Sequence, residues 1–362
     1  MAQSINFADT ATEIAASTPP RPRIDAAKLI RFIASQPDVT GPVTLSDLHY
    51  IEDAGGSNGI ALFEITLTTG VEPLVLRYAP GEQLLQQKHF DDEFLTLRAV
   101  CAAGIPAPTA RWCEPTGAAV GYPFLVMDRL EGRAPANRSM YDSGLLAEVS
   151  PAMRKSMLLD AARFHGRLRK TAIGPEEVPH LVNRGFGASA IERELSWWLE
   201  EVNRVTTADD PRRKYLTELI GWMVAHQPDL RPATLVHGDG QIANLMFKDG
   251  TLLAGLDWEL SYLGHNEADL ALVAMLVPGH VLPGAIVEKL PTEAELVSAY
   301  EEAAGAAVEH WEYFKLFNLV KVSSIMVMTA RYMGPEMADQ LWQINAADRE
   351  HAWARARLSD GA

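Results

Sequence analysis

The chain has 362 residues, 48% of them hydrophobic, which allows one large core or two adjoining lobes and argues against disorder. Its 32 Lys and Arg residues against 47 Asp and Glu give a net charge of −15. This charge repels polyanions and argues against non-specific binding to nucleic acid or to an anionic membrane. A local basic pocket could still hold a nucleotide.

The ends and the cysteines exclude further classes. Residues 1–22 lack the basic and apolar regions of a secretory signal and are interpreted as a flexible tail that ends in a Pro-rich break. The apolar stretches Leu270–Val277 and Leu316–Ala330 are too short or too interrupted for a membrane span. Cys101 and Cys113 are too few for a disulfide framework or a zinc cluster, and we expect buried apolar filler in a reducing, cytoplasmic protein.

Residues 23–130 predict a compact α+β lobe. After a short helix come three strand-like runs, DLHYIEDA, IALFEITL and PLVLRYA, rich in β-branched or aromatic residues and separated by turns that contain Gly. A helix is predicted from about His89 to Ala103, ended by Gly104 and Pro106, and the strand-like runs ARWCE and YPFLVMDRL follow. We therefore expect a small antiparallel sheet with one helix.

Residues 131–362 change character and predict a larger, mainly helical lobe. Amphipathic segments begin at recognisable caps: Ser150-Pro151, Asp210-Pro211 and Thr292-x-x-Glu295. The helices are interrupted by the strand-like pieces ATLVHGD, NLMFKDG and LLAGLDWEL. The chemistry is expected in that interruption, and the overall prediction is a bilobal α+β fold.

The interruption contains the segment HGDGQIANLMFKDGTLLAGLDWE, which would bring Asp239, Asn244 and Asp257 to one rim if it folds back on itself. Phosphoryl transfer needs a group that accepts or orients the acceptor hydroxyl, which suits Asp239. It also needs oxygen ligands for Mg²⁺ on the triphosphate, which suits Asn244 and Asp257. Each residue alone is also common in turns, so the conjunction carries the prediction.

The pattern HGD-x4-N followed by LDWE resembles the catalytic and metal-binding signature of the aminoglycoside phosphotransferase and choline kinase superfamily. The resemblance implies a protein-kinase-like fold, Asp239 as the catalytic base or hydroxyl-orienting group, and magnesium on Asn244 and Asp257. It also implies that His237 supports the catalytic loop. GHNEADLALV resembles the family's Gly-Asp-Pro-x-x-Asp-Leu-Ala stretch, in which Asp269 would cap a helix and brace the metal loop, although His and Asn replace the first Asp and the Pro.

The resemblance extends to a nucleotide site in the first lobe. Gly56, Ser57 and Asn58 lie in a run similar to the family's Gly-Gly-x-Ser-Asn phosphate loop. Arg77 takes the strand position at which kinases place a phosphate-binding lysine, and an arginine there can fork to phosphate oxygens. Glu93 is the implied ion-pair partner of Arg77.

The run FLVMDRLEG is similar to the family's hinge, with Met127 behind the base and the Asp128 carbonyl and Leu130 amide facing the purine edge. Because backbone groups make this recognition, the side chains do not distinguish ATP from GTP.

Acceptor choice is expected in the helical lobe. The run IERELSWWLEEVNR, which contains Trp197 and Trp198, resembles a branch of the family whose members occur alone or joined to acyl-CoA dehydrogenases. Because adjacent residues of a helix point in different directions, at most one of the two tryptophans should face an acceptor cleft. Gly240 would leave room beside Asp239, and Gln241 departs from the arginine of the dehydrogenase-linked branch. Glu259 is assigned to the acceptor site as well.

The sequence therefore predicts a small-molecule kinase that transfers the γ-phosphoryl group of ATP or GTP to a hydroxyl, with Mg²⁺ as cofactor. A catalytically silent nucleotide-binding scaffold is the alternative, and the intact set of Asp239, Asn244 and Asp257 argues against it. The acceptor and the oligomeric state are left open.

Overall fold

The computed structural model describes residues 22–51, 58–81, 89–135, 144–276 and 290–333, with 339, 342 and 343. The described residues of the N-terminal part form two helices and six strands: α1 (Ala26–Ala34), β1 (Thr44–Leu45), β2 (His49–Tyr50), β3 (Gly59–Leu67), β4 (Gly70–Tyr78), α2 (Phe90–Ala102), β5 (Ala110–Glu114) and β6 (Phe124–Asp128).

These strands form one antiparallel sheet in the order β1-β3-β4-β6-β5, with β2 also paired to β3. The small sheet and the helix predicted over His89–Ala103 are confirmed. The first predicted strand, DLHYIEDA, is reduced to His49–Tyr50, and its residues after Ile51 lie outside the described part. Because β4 is flanked by β3 and β6, Arg77 lies on an interior strand opposite Ile60 and Leu125.

Alternation along the strands divides the sheet between two cores, since successive side chains point to opposite faces. Phe124 and Val126 of β6 pack with α1 in a core beneath the outer face. Leu125 and Met127 pack on the other face with α2, in a core that continues into the C-terminal part. The sheet and the helical part are therefore joined through apolar packing at α2.

The C-terminal part is mainly helical, as predicted. Its elements are α3 (Leu145–Glu148), α4 (Pro151–Thr171), α5 (Ala190–Val205), α6 (Pro211–Ala225), β7 (Thr234–Val236), β8 (Leu245–Lys248), β9 (Thr251–Gly255), β10 (Tyr262–Gly264), α7 (Glu267–Leu276), α8 (Glu293–Ala304) and α9 (Trp311–Met333). β7 pairs with β10 and β8 with β9, both antiparallel. The predicted helix starts are confirmed, with Ser150 and Asp210 as side-chain caps and a capping box at Thr292.

Helix α4 is the central support of this part. Phe164 and Leu168 are fully buried on it, and Gly166 permits a close approach to α8, because a Cβ there would lie 2.4 Å from the Tyr300 carbonyl oxygen. A second core lies between α5, α6 and α9. The β8–β9 hairpin and the two-stranded β7–β10 sheet are thereby held on a helical base.

The cysteines differ in part from the expected buried filler. Cys101 on α2 and Cys113 on β5 are both free thiols and only half-buried, and Cys113 packs against the margin of the core around α2. Burial raises the pKa of Cys113 to about 12. Within the described ranges, no helix is long and apolar enough to cross a membrane.

Candidate active site

The segment after β7 turns sharply because of Gly238. Its φ is +82°, and a Cβ would lie 2.1 Å from the Leu260 carbonyl oxygen, so a larger side chain is excluded. The chain then passes Asp239, forms a 3₁₀ turn over Ile242–Asn244 and enters β8. The turn places Asp239 and Asn244 side by side although they are five residues apart.

Asp269, in the first turn of α7, anchors the segment 237–244, which we call the catalytic loop after its predicted role. Its two carboxylate oxygens accept from the backbone N–H groups of His237 (2.9 Å) and Gly238 (3.1 Å). Burial favours a higher pKa for Asp269, but His165, His237 and Lys321 outweigh burial and lower it. Asp269 therefore holds the loop as a buried carboxylate, in contact with the catalytic loop itself.

His237 is fully buried and ties the catalytic loop to the next segment. Its Nε2 lies 2.9 Å from the Leu256 carbonyl oxygen, and its Nδ1 accepts from the Asp239 N–H at 3.3 Å. Burial lowers the pKa of His237 to about 4. The ring is therefore neutral with its proton on Nε2, which fits the support role that the resemblance implied.

The Asp239 carboxylate is oriented by two neutral amides. Asn244 Nδ2 donates to Asp239 Oδ2 at 2.7 Å and to its backbone carbonyl oxygen at 3.0 Å. Gln241 Nε2 lies 3.1 and 3.2 Å from the two carboxylate oxygens. Both amides donate to the carboxylate oxygens, which holds Asp239 in place and leaves it able to accept another hydrogen bond.

Asp257 reaches the same rim from the end of β9. Its backbone is left-handed (φ 61°), directly before the 3₁₀ turn Trp258–Leu260. The N–H of Leu256 donates to the Asn244 carbonyl oxygen at 2.7 Å and thereby links the two segments. Asp257 and Asn244 together offer the oxygen ligands that Mg²⁺ prefers. The side chain of Asp257 is 34% exposed, and Asn244 donates to Asp239 through Nδ2, so its amide oxygen is not used in that bond.

Arg77 faces Asp257 from the sheet and binds three carboxylates. It pairs with the buried Glu93 on α2, and its Nη2 lies 2.8 Å from Asp257 Oδ1 and 3.2 Å from Glu259 Oε2. Burial opposes the charge of Arg77, but the three carboxylates outweigh it and raise its pKa. Glu259 also accepts from Asn58 Nδ2 at 3.0 Å. We call these five residues the Arg77 cluster.

The other residues that were predicted to bind the nucleotide lie partly outside the described residues and partly on or after β6. Gly56 and Ser57 lie outside the described residues. Met127 is buried on β6, Asp128 ends that strand, and Leu130 follows it. The Asp128 N–H donates to the Thr109 carbonyl oxygen at 3.0 Å, while the proposed contacts of the Asp128 carbonyl and the Leu130 amide with a purine stay predictions.

One acceptor assignment needs correction, and another stays a prediction. A Cβ on Gly240 would lie 2.7 Å from the His165 ring and 2.8 Å from Asp269 Cβ, so this glycine makes room for buried packing. Its carbonyl oxygen also lies 2.9 Å from His165 Nε2. Glu259, assigned to the acceptor site, contacts Asn58 and Arg77 and also lines the cavity beside Trp197, so its assignment stays a prediction. Spacing could not show these directions, because both residues adjoin Asp or Trp residues of the site.

Both tryptophans are buried, but their surroundings differ. Trp198 donates from Nε1 to Glu194 at 2.8 Å inside the protein. Trp197 lines a cavity of about 300 Å³, together with Glu93 and Glu259. The expectation that at most one tryptophan would border a cleft agrees with this geometry.

Sequence reasoning missed Arg184 and Lys321. Arg184 lines the cavity, stacks 3.9 Å over the Trp197 ring and pairs with Glu194 at 3.0 Å. Lys321 of α9 is buried, which lowers its pKa, while Asp239 is among the carboxylates that oppose this shift. Each had the appearance of an ordinary helix or loop cation, and no motif marked either one.

The segment around the departure at His265 and Asn266 is held by buried polar contacts. Asn266 Nδ2 donates to the Leu235 carbonyl oxygen at 2.7 Å, and its Oδ1 accepts from Thr234 at 3.2 Å. Glu267 is buried between Arg169 (2.8 Å) and Arg231 (2.9 Å). These contacts fix the start of α7, so Asp269 still reaches the catalytic loop.

Comparison with known proteins shows the family of this chain. Residues 61–317, well over half of the chain, match the sequence profile of the "Phosphotransferase enzyme family". Human acyl-CoA dehydrogenase family member 11 is 28% identical over 274 residues, 72% of this chain and 33% of that protein. The chain thus spans about a third of the length of this curated relative.

Solved structures show the fold. A Ralstonia eutropha protein, classified provisionally as an aminoglycoside phosphotransferase, superposes with a TM-score of 0.68 at 21% identity, covering 93% of this chain and 99% of that one. An amicoumacin kinase, solved with AMP-PNP, Ca²⁺ and its antibiotic, gives 0.56 at 14% identity, covering 95% and 96%. The bilobal, protein-kinase-like fold that the sequence predicted is confirmed.

Proposed function

The chain belongs to the phosphotransferase enzyme family, and we propose that it transfers the γ-phosphoryl group of ATP or GTP to a hydroxyl of a small molecule. The observation that carries this proposal is the Asp239 carboxylate, held by Asn244 at 2.7 Å on a loop that Asp269 anchors. A small-molecule phosphotransferase is supported by the family and the fold, while the nucleotide, the metal and the hydroxyl acceptor are our inference.

In this proposal Asp239 orients the acceptor hydroxyl and accepts its proton as the new O–P bond forms and the bond to the leaving diphosphate breaks. Asn244 and Gln241 keep the carboxylate in position for that contact. Asn244 and Asp257 would hold Mg²⁺, which supplies positive charge to the phosphate oxygens when bound.

Arg77 would bind the phosphates from the opposite side. Its guanidinium already contacts Asp257 and Glu259, so a bound triphosphate would replace carboxylate oxygens with phosphate oxygens. Met127, Asp128 and Leu130 would contact the base, and Gly56, Ser57 and Asn58 would cover the phosphates. This arrangement supports in-line transfer between the lobes, which we assign to residues 23–130 and 131–362.

The acceptor class is left open by this proposal. The curated relatives are acyl-CoA dehydrogenase family members, and the amicoumacin kinase binds an antibiotic. Trp197, which lines the cavity with Arg184, is the tryptophan we assign to the acceptor side. We also propose a reducing, cytoplasmic location, because both cysteines are free thiols.

The test is magnesium-dependent nucleotide turnover with a panel of amino sugars, amino alcohols, sugars and hydroxyacyl compounds. We expect Asp239→Asn to lower kcat by about 10²- to 10⁴-fold while nucleotide binding is retained. Asp249→Asn is the matched control, because this exposed aspartate has a φ of 52° that asparagine tolerates.

Two outcomes would contradict the proposal. Undiminished transfer by Asp239→Asn would remove Asp239 from the mechanism. Magnesium-dependent nucleotide binding by the wild type, without transfer to any member of a broad panel, would favour the catalytically silent scaffold.

A further inference from the structure

A second cavity lies away from the active site, where the two lobes meet. It is a groove of about 480 Å³ between the turn that ends α2, at Gly104 and Ile105, and helices α4 and α8. The turn is well ordered by hydrogen bonds from the Gly104 and Ile105 N–H groups back to α2, at 3.0 and 2.9 Å. Just after it, the Pro106 carbonyl oxygen accepts from the Gly255 N–H at 2.9 Å and attaches the turn to β9.

Three cations line one side of this groove. Arg163, Arg167 and Lys170 belong to α4 and are spaced by four and three residues, which places them on the same face of the helix. With a rise of about 1.5 Å per residue, their backbone positions extend over roughly 10 Å. Among the described residues that line the groove, Glu302 is the one carboxylate.

The positive charge is only partly neutralised. Arg163 pairs with Asp160 at 3.0 Å, whereas the side chains of Arg167 and Lys170 have no ion pair within the described part of the chain. Arg167 is half-buried, and burial lowers its pKa, with Arg163 acting in the same direction and Asp160 opposing it. Like charges four residues apart destabilise a helix, and a bound anion would relieve that repulsion.

A groove lined by three cations is unusual in such an acidic protein. The chain as a whole carries −15, so a cationic groove is not a consequence of a basic surface. A single phosphate would be smaller than the roughly 10 Å row of cations, whereas a diphosphate or longer polyphosphate could contact two or three of them.

We propose that this groove binds a small anion of the diphosphate or polyphosphate class, through Arg163, Arg167 and Lys170. The ligand would lie between a turn of the sheet lobe and two helices of the helical lobe. It would therefore contact both lobes without entering the active site, and the groove is independent of the phosphotransferase proposal.

The experiment is calorimetric titration of the full chain with inorganic pyrophosphate, at low salt and without divalent metal. We expect the double variant Arg163→Gln/Arg167→Gln to bind pyrophosphate at least about tenfold more weakly than the wild type. Arg31→Gln, a change of an exposed arginine on α1, is the matched control and should bind like the wild type.

A second arm uses ADP and distinguishes the sources of the diphosphate. A binding event for ADP that the double variant loses would identify a nucleoside diphosphate as ligand, and loss for pyrophosphate alone would identify inorganic pyrophosphate. ADP that binds at the active site should still bind to the double variant, because the variant changes only groove residues. Failure of the groove proposal is therefore separable from failure of the kinase proposal.

Equal pyrophosphate affinity of the wild type and the double variant would overturn the proposal, as would a wild type that shows no binding at millimolar pyrophosphate. Thermal melting checks that the double variant is folded. If it is not, Arg163→Gln/Lys170→Gln keeps the half-buried Arg167 and provides the same comparison.

Discussion

The catalytic loop and the Arg77 cluster face each other across the candidate site but are held by different forces. The loop is fixed within one lobe by backbone N–H groups that donate to the buried Asp269, and by the neutral ring of His237. The Arg77 cluster joins segments up to 201 residues apart through the amide of Asn58 and four charged side chains, of which Asp257 and Glu259 are 34% and 20% exposed.

This difference fits the two roles that we propose. Backbone hydrogen bonds to a buried carboxylate preorganise Asp239 before any ligand binds, which suits a group that orients a hydroxyl. The partly exposed Asp257 and Glu259 could give up Arg77 to a nucleotide phosphate, because phosphate oxygens offer the guanidinium equivalent acceptors. One region is built to stay fixed, and the other is built to exchange partners.

The largest expected effect comes from removing the cation of the Arg77 cluster. Arg77→Met removes the ion pair of Arg77 with the buried Glu93 and should lower the free energy of unfolding by about 3–5 kcal/mol. Arg111→Met is the matched control, since this arginine of the same sheet pairs with Glu72 and Asp128 near the surface and should cost at most about 1 kcal/mol. Urea denaturation measures both, and equal losses would show that burial adds nothing to the cluster.

The catalytic loop is tested by pH. Burial lowers the pKa of His237 to about 4 from 6.5, so between these values the unfolded chain binds a proton that the folded chain does not. Stability must therefore fall as the pH falls. We expect a loss of about 2 kcal/mol from this group between pH 7.5 and 5.0.

His237→Gln isolates the contribution of this ring. Contributions that are equal in both proteins cancel in the comparison, so the variant should lose about 2 kcal/mol less than the wild type over the same pH interval. Identical pH dependence in urea denaturation would show that His237 does not carry the effect.

The contrast between the two regions also explains what could be predicted from the sequence. Helix starts such as Ser150 and Thr292 follow from local capping chemistry, and both were found where expected. The triad of Asp239, Asn244 and Asp257 was identifiable because a short hairpin brings its members together. Local signals therefore sufficed for the catalytic loop.

The missed and misassigned residues depend on long-range packing. Gly240 was misassigned because His165 and Asp269, which fill the space beside it, come from two distant helices. The contacts of Glu259 could not be predicted either, because its partners Asn58 and Arg77 lie about 200 and 180 residues away. Arg184 and Lys321 gave no local signal at all, since their environment is created only when α5 and α9 pack together.

A smaller effect is expected when the exchangeable side is weakened without loss of shape. Glu259→Gln keeps a hydrogen-bonding oxygen but removes the charge that holds Arg77 and Asn58 in the absence of nucleotide. We expect nucleotide affinity without added metal to rise by about fivefold, equivalent to roughly 1 kcal/mol. Glu64→Gln, which changes an exposed partner of Arg129, is the control and should leave affinity unchanged. Weaker binding by Glu259→Gln would mean that Glu259 helps to bind the nucleotide.

The smallest effect should come from Gln241, because it supports an already fixed carboxylate. Its Nε2 lies 3.1 and 3.2 Å from the two oxygens of Asp239, whereas Asn244 makes the shorter bond of 2.7 Å and a second bond to the backbone. Gln241→Ala should therefore lower kcat by only about two- to fivefold, whereas Asn244→Ala should lower it by more than tenfold. Steady-state kinetics with a working acceptor measures both variants. If Gln241→Ala instead raises the KM for the acceptor strongly with kcat unchanged, Gln241 contacts the acceptor and marks the side of the catalytic loop that faces it.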